Sequence, residues 1–485
     1  MKNKINKILS VVILIVMVTG CDMLSDFGDT NVNPAATTQP ITAALLTNVM
    51  SGIGGYATST RGGLYCQYFS ETQYTDVSLY SLPQLSSTGY YSGYLYDLEN
   101  IVKQNTEDAT KAAAALNGAN ENQIAIARIL QSYFYWWITD QWGDIPFSNA
   151  LTGDPNITFD TQEDIYKGVI ASLTSAVDMF VTTGAPLKGD LHYKGDINKW
   201  KKFANSMRVL MAIRLSNRYP GASDYAATQL KAALNHPAGV IENNADNFRV
   251  VPPGGNFRNN WFALYDGRSD FAVSKEMVDR MVALTDTRVN IFGSSTVGVP
   301  YGLLRAAAEA FTSANPTWAR IMAPSWREQT SPVFVMTAAQ VYLARAEAAD
   351  RGWTTENMVN MYTNGITASH TQWGLAAPTA GYLAGVELTN PAGTNANLAR
   401  IALQQYIAFY PDGRQGWSNW RRTNIPALTP TPNATNASKL IPKRYTYGTS
   451  EWATSKAAVE AAIARLTTTG LDSPDYPVWW MNVTK

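Results

Sequence analysis

The 485-residue sequence predicts a mostly α-helical fold, about four antiparallel helix pairs packed with a loop-rich variable region. Three observations predict it. Apolar residues recur at helical spacing in segments that arrive two by two. Gly and Pro mark the joints between them. Two long stretches, roughly 237–332 and 374–397, interrupt the series with mostly irregular sequence. Helix pairs of this kind bury their apolar faces against their neighbours, as in tetratricopeptide-like arrays. The residues show no strict period, so the repeat belongs to the elements.

The first element is a leader. Lys2, Lys4 and Lys7 form a basic start, Ile8 to Val18 is apolar apart from Ser10, and Val18-Thr19-Gly20-Cys21 follows. This is the layout of a secretory signal peptide, and its apolar run is short of the ~20 residues that span a bilayer. Small residues directly before a cysteine resemble the lipobox of bacterial lipoproteins. That resemblance implies removal of residues 1–20 and a lipid on the Cys21 thiol. At about 0.8 kcal/mol per buried CH₂, two or more chains make such an anchor effectively permanent. Residues 21–40 are polar and turn-rich and are expected to be a tether, with 41–485 as a single helical domain.

Within that domain, Gln123 to Gln141 is an almost unbroken apolar band that stops at Trp142-Gly143-Asp144-Ile145-Pro146, because Gly and Pro do not continue a helix easily. Thr161-Gln162-Glu163-Asp164 opens the next helix with an acidic first turn, and Ile165, Val169, Leu173 and Val177 follow at helical spacing. The expected pairs are 123–141 with 162–180, 199–219 with 224–235, 337–351 with 355–373, and 398–409 with 413–422. Between 237 and 332 one clear helix is expected, Ser274 to Leu284, and a last helix at 455–466. Trp142, Trp200 and Phe203 are expected in the core. Arg208, Arg214 and Arg345 lie on or near apolar stripes, so carboxylate partners are expected, with Asp140 and Glu347 as candidates.

Composition excludes several functions. Lys and Arg total 38, as do Asp and Glu, so there is no basic surface of the kind that grips nucleic acid. Only 16% of residues are charged, which suits a neutral, hydroxyl-rich ligand. Of two cysteines, Cys21 is expected to be lipidated, leaving Cys66 as a buried inert thiol without a disulfide partner. His192, His236 and His370 lie far apart, and no CxxC, HExxH, GxSxG or Walker pattern occurs. No cofactor is expected, and no EF-hand pattern supports a structural calcium. No carboxylate cluster singles out a glycosidase pair, and the chain is expected not to be an enzyme.

Several segments together resemble the SusD/RagB-like outer-membrane lipoproteins of the Bacteroidota, in the shorter-chain branch. They are the lipobox Cys21, Asp29-Thr30-Asn31-Val32-Asn33-Pro34, Gln67-Tyr68-Phe69-Ser70-Glu71-Thr72-Gln73-Tyr74, Thr139-Asp140-Gln141-Trp142-Gly143-Asp144-Ile145-Pro146-Phe147, Phe159-Asp160-Thr161-Gln162-Glu163-Asp164-Ile165-Tyr166, Gly195-Asp196-Ile197-Asn198-Lys199-Trp200-Lys201-Lys202-Phe203-Ala204-Asn205-Ser206 and Val341-Tyr342-Leu343-Ala344-Arg345-Ala346-Glu347-Ala348. The resemblance implies four tetratricopeptide-like pairs, anchorage at the outer membrane facing the cell exterior, and a SusC-like TonB-dependent transporter as partner. It also implies capture of oligosaccharides or peptides for uptake, without catalysis.

Sugars stack their C–H faces on aromatic rings while polar side chains bind their hydroxyls. Two stretches offer aromatics in expected loops: Tyr74 to Tyr96, and the region holding Asn256, Arg258, Asn260, Trp261, Tyr265, Arg268, Trp318 and Trp326. The expected ligand-binding residues are Tyr80, Trp261, Trp318, Tyr74, Tyr265 and Arg268. Two other classes remain open at this point, a lipoprotein docking other proteins through its helices and a lipid-anchored glycosidase.

Overall fold

A computed structural model describes residues 40–81, 84–154, 156–389 and 392–481. The signal peptide, Cys21 and tether residues 21–39 lie outside them. Thr42–Lys485 is one compact unit. Its helices of nine residues or more are α1 (Thr42–Ala57), α2 (Tyr96–Thr106), α3 (Asn120–Trp142), α4 (Gln162–Met179), α5 (Ile197–Arg214), α6 (Tyr225–Leu234), α7 (Lys275–Ala283), α8 (Arg305–Ala314), α9 (Ala338–Asp350), α10 (Met358–Thr371), α11 (Asn395–Phe409), α12 (Gly413–Thr423) and α13 (Lys456–Leu466).

The four expected pairs form: α3 packs on α4, α5 on α6, α9 on α10 and α11 on α12. Adjacent pairs then stack, α4 on α5, α5 on α9 and α9 on α11. The tetratricopeptide-like arrangement is therefore present. Helix α3 is apolar on all sides because it is enclosed on all sides, and its residues from Ala125 to Trp142 are almost all buried. It stops at Gly143, whose φ of 90° suits glycine and whose N–H donates to the Thr139 carbonyl at 2.8 Å. Side-chain oxygens cap the next starts. Thr161 accepts from the Asp164 N–H, Asp196 from those of Asn198 and Lys199, and Asp412 from those of Arg414 and Gln415. Thr337 and Gln340 form a reciprocal capping box on α9.

Buried charge links the pairs. Arg214 on α5 donates to Asp140 on α3 at 2.8 Å and to Gln415 on α12 at 2.7 Å. Arg345 does not use Glu347 but pairs with Glu356 and Glu242, while Glu347 takes Arg422 and Arg351. Arg208 makes no ion pair among the described residues; its guanidinium donates to Asn205. Trp142, Trp200, Phe203 and Cys66 are fully buried as expected, and burial raises the Cys66 thiol well above its ordinary range.

The long stretches are less irregular than expected. Region 237–332 carries α8, the helical turn Asn260–Ala263 and two short strands besides α7, and region 374–397 carries the helix Ala380–Val386. Strand β1 (Phe69–Glu71) pairs antiparallel with β3 (Phe271–Val273), and β2 (Phe248–Val250) with β4 (Val333–Met336). Tyr90, Tyr91 and Tyr94 are not in a loop but on a short helical run, Thr88–Leu95, that leads into α2.

Candidate functional site

The pairing of β1 with β3 brings together two stretches that are nearly 200 residues apart in the chain. Glu71 lies opposite Phe271, and beyond the strand the Thr72 N–H donates to the Asp270 carbonyl at 2.9 Å. A cleft of about 800 Å³ opens over this junction, between the C-terminal end of α1 and the turn Asn260–Ala263.

The floor of the cleft is aromatic. Tyr56, the last aromatic residue of α1, meets Phe134 and Trp137 of α3 edge-on at 5.1 Å each and Tyr90 at 5.4 Å. Tyr56, Tyr90 and Trp137 all line the cleft, and the buried indole N–H of Trp137 has no hydrogen-bond partner among the described residues. Above the floor Tyr74 stands half out in solvent, with the Arg305 guanidinium 5.2 Å from its ring centroid.

Polar groups form the rim. Arg268 is exposed and forms an ion pair with Asp270, whose other oxygen accepts from the Gln73 amide. Asn260 presents its side chain from the opposite wall. Glu71 sits deeper. One carboxylate oxygen accepts from the N–H and hydroxyl of Ser78, each at 2.8 Å. Burial pushes the Glu71 carboxyl up to about 7 against the pull of those two hydrogen bonds.

Of the six residues expected to bind ligand, Tyr74 and Arg268 line this cleft. The other four do not, and for them the expectation is corrected. Trp261 is 2% exposed and packs edge-on against Phe69; from there it anchors the turn that presents Asn260. Tyr80 is buried, its hydroxyl accepting from the Thr431 N–H. Trp318 is buried against Ala272 and Val299, under the Arg320 guanidinium at 4.2 Å. Tyr265 donates to the Phe271 carbonyl at 2.8 Å and accepts from the Ile321 N–H at 2.7 Å, tying the loop to β3. A large ring in this region is more stable under the loops than on them. Tyr56, Trp137, Glu71 and Asp270 were missed. Tyr56 and Trp137 sit within helical patterns, and only the packing of α1 on its neighbours exposes an edge of each to the cleft.

Among the described residues no group of three or more His, Cys, Asp or Glu side chains is placed to hold a metal ion. No described helix is long and apolar enough to cross a membrane.

The stacked helix pairs thus carry, at one end of α1, a cleft with an aromatic floor and a polar rim. The chain belongs to the SusD-like family described as starch-binding, associating with the outer membrane, whose model matches residues 34–448. Among solved structures it is similar to a chitin-binding protein, at 25% identity and a TM-score of 0.75, over 91% of this chain and 100% of that one. A chitin-binding SusD homolog from Flavobacterium johnsoniae is 24% identical, with a TM-score of 0.75, over 91% and 98% of the two chains. A SusD homolog from Bacteroides uniformis is likewise 24% identical, with a TM-score of 0.75, over 90% and 99%. No curated protein matches the chain.

Proposed function

We propose that the protein is an outer-membrane lipoprotein, anchored through Cys21, that captures neutral oligosaccharides in the cleft around Tyr74. It hands them to a SusC-like TonB-dependent transporter without chemical change. The observation that carries this reading is the cleft itself: an exposed ring above an aromatic floor, rimmed by Asn260, Arg268 and Asp270. Stacking surface and hydrogen-bonding rim are the two things a hydroxylated ring needs. The starch-binding description of the family and the chitin-binding names of similar structures support the choice of glycan over peptide.

The test is a glycan-array screen of residues 22–485 followed by calorimetry on hits. Binding without turnover, weakened by Tyr74→Ala, supports capture. An array blank for every glycan overturns it. Glu71 and Asp270 place two carboxyl groups in one cleft, so the same samples are assayed for new reducing ends. Their release would make the protein a glycosidase instead. Co-purification of a TonB-dependent transporter with the anchored protein tests the partner.

A further inference from the structure

Glu71 is an acid buried where its charge is poorly served. The residue is 5% exposed. Arg61, on the short helix Thr60–Tyr65, acts on it only from a distance and gives its own hydrogen bond to the Tyr65 hydroxyl at 3.3 Å. Asp76, on the turn that also carries Ser78, repels its charge. At the rim Arg268 and Asp270 pair with each other. Tyr65 and Tyr301 lie near the carboxyl too, and burial keeps both phenols protonated far beyond neutrality.

The two carboxyl oxygens have different surroundings. Oε2 accepts from the Ser78 N–H and hydroxyl, each at 2.8 Å. A backbone N–H can only donate, and this one has no other acceptor among the described residues. Oε2 is therefore the acceptor oxygen whether or not the acid is ionised, and the proton of the neutral acid sits on Oε1. Oε1 makes no hydrogen bond among the described residues, yet it is not enclosed. In Glu276 and Glu451 the unpartnered oxygen is sealed from solvent. Oε1 of Glu71 keeps an opening, on a side chain that lines the cleft.

Donor and acceptor chemistry limits what such a group can select. A sugar hydroxyl both donates and accepts, so it fits a carboxylate and a carboxylic acid alike. An amide carbonyl oxygen only accepts, so it needs the protonated acid. The ring and bridging oxygens of a glycan are far weaker acceptors. The strong acceptor-only group of a neutral glycan is the carbonyl of an acetamido substituent. Its methyl group is apolar, and Tyr56, Tyr90 and Trp137 offer it an aromatic floor in the same cleft.

We propose that Glu71 is the specificity-determining residue of the cleft: its Oε1–H donates to the carbonyl oxygen of an acetamido group, and the glycans selected are those built of 2-acetamido sugars. This rests on the glycan-capture reading above and adds to it the ligand class and the residue that chooses it.

The experiment is calorimetry of residues 22–485 with the N-acetylglucosamine tetramer and with maltotetraose, each at pH 5 and pH 8. With the Glu71 carboxyl pushed up to about 7, about one molecule in ten keeps the proton at pH 8, so affinity for the N-acetylglucosamine tetramer should fall about tenfold from pH 5 to pH 8. Maltotetraose, which has only hydroxyls to offer, should bind more weakly at pH 5 and change by less than about twofold. Glu71→Gln turns the donor into a permanent amide, so at pH 8 it should bind the N-acetylglucosamine tetramer within about twofold of the wild-type affinity at pH 5. A gain of affinity at pH 8 is a result that damage to the fold does not produce, and the wild-type comparison stands without the variant. Equal wild-type affinity for the tetramer at both pH values overturns the proposal while leaving glycan capture intact. So does a pH dependence that persists in Glu71→Gln, or a wild-type affinity for maltotetraose at pH 5 that matches or exceeds that for the acetamido tetramer. Binding of neither sugar overturns it as well, and the array then decides whether glycan capture itself fails.

Discussion

At the residue scale the cleft divides its labour between rings that touch solvent and rings that hold the wall. Tyr74→Ala should weaken glycan affinity by about tenfold, the loss of a stacking contact near 1.4 kcal/mol. The melting temperature should hardly move, because the ring is half exposed. Trp261→Ala should do the reverse first, lowering stability by about 3–5 kcal/mol in urea titration, since it empties a buried site beneath the Asn260 turn. Glu71 adds a pH signature. Its raised pKa means the folded state holds a proton that the unfolded chain has already released, so this group's contribution to stability is full below about 4.5 and is lost as pH rises through about 7. Across the same interval its carboxyl turns from donor to acceptor at the cleft. Ligand affinity measured by calorimetry from pH 5 to pH 8 should therefore drift about the pKa of about 7, and Glu71→Gln should remove the drift.

At the element scale the joints matter more than the helices. The short helix Thr60–Tyr65 and the start of α12 approach backbone to backbone: a Cβ on Gly413 would sit 2.0 Å from the Gly63 nitrogen. Gly413→Ala is expected to cost about 1–3 kcal/mol by forcing the two apart, read as a drop in melting temperature. The helix pairs were legible in the sequence because each has its own punctuation. Thr161, Asp196 and Asp412 cap starts, and Gly143 ends α3. Helix α8 was missed although Arg305-Ala-Ala-Ala-Glu-Ala-Phe has high helix propensity and an amphipathic pattern, its one buried residue being Ala308. The turn Asn260–Ala263 is held by tertiary contacts of Trp261 and was no more visible.

At the scale of the whole molecule, buried ions pin the array. Burial opposes charge on Glu347, yet the guanidiniums of Arg422 and Arg351 more than offset it and hold the carboxyl down at about 2. Its contribution is present above about 4.5 and lost as pH falls toward about 2, so acid should unfold the protein over that window. Glu347→Gln should flatten the acid limb of a stability profile measured by urea midpoint. Helical period, caps and the order of the pairs are local properties, and an amphipathic segment carries them wherever it packs. That is why the class of fold and the two stretches that meet at the cleft were readable in advance. Exposure is not local. Tyr80, Trp261 and Trp318 have the same aromatic chemistry as Tyr74, and only the β1–β3 pairing and the approach of α1 decide which rings are covered and which face the cleft.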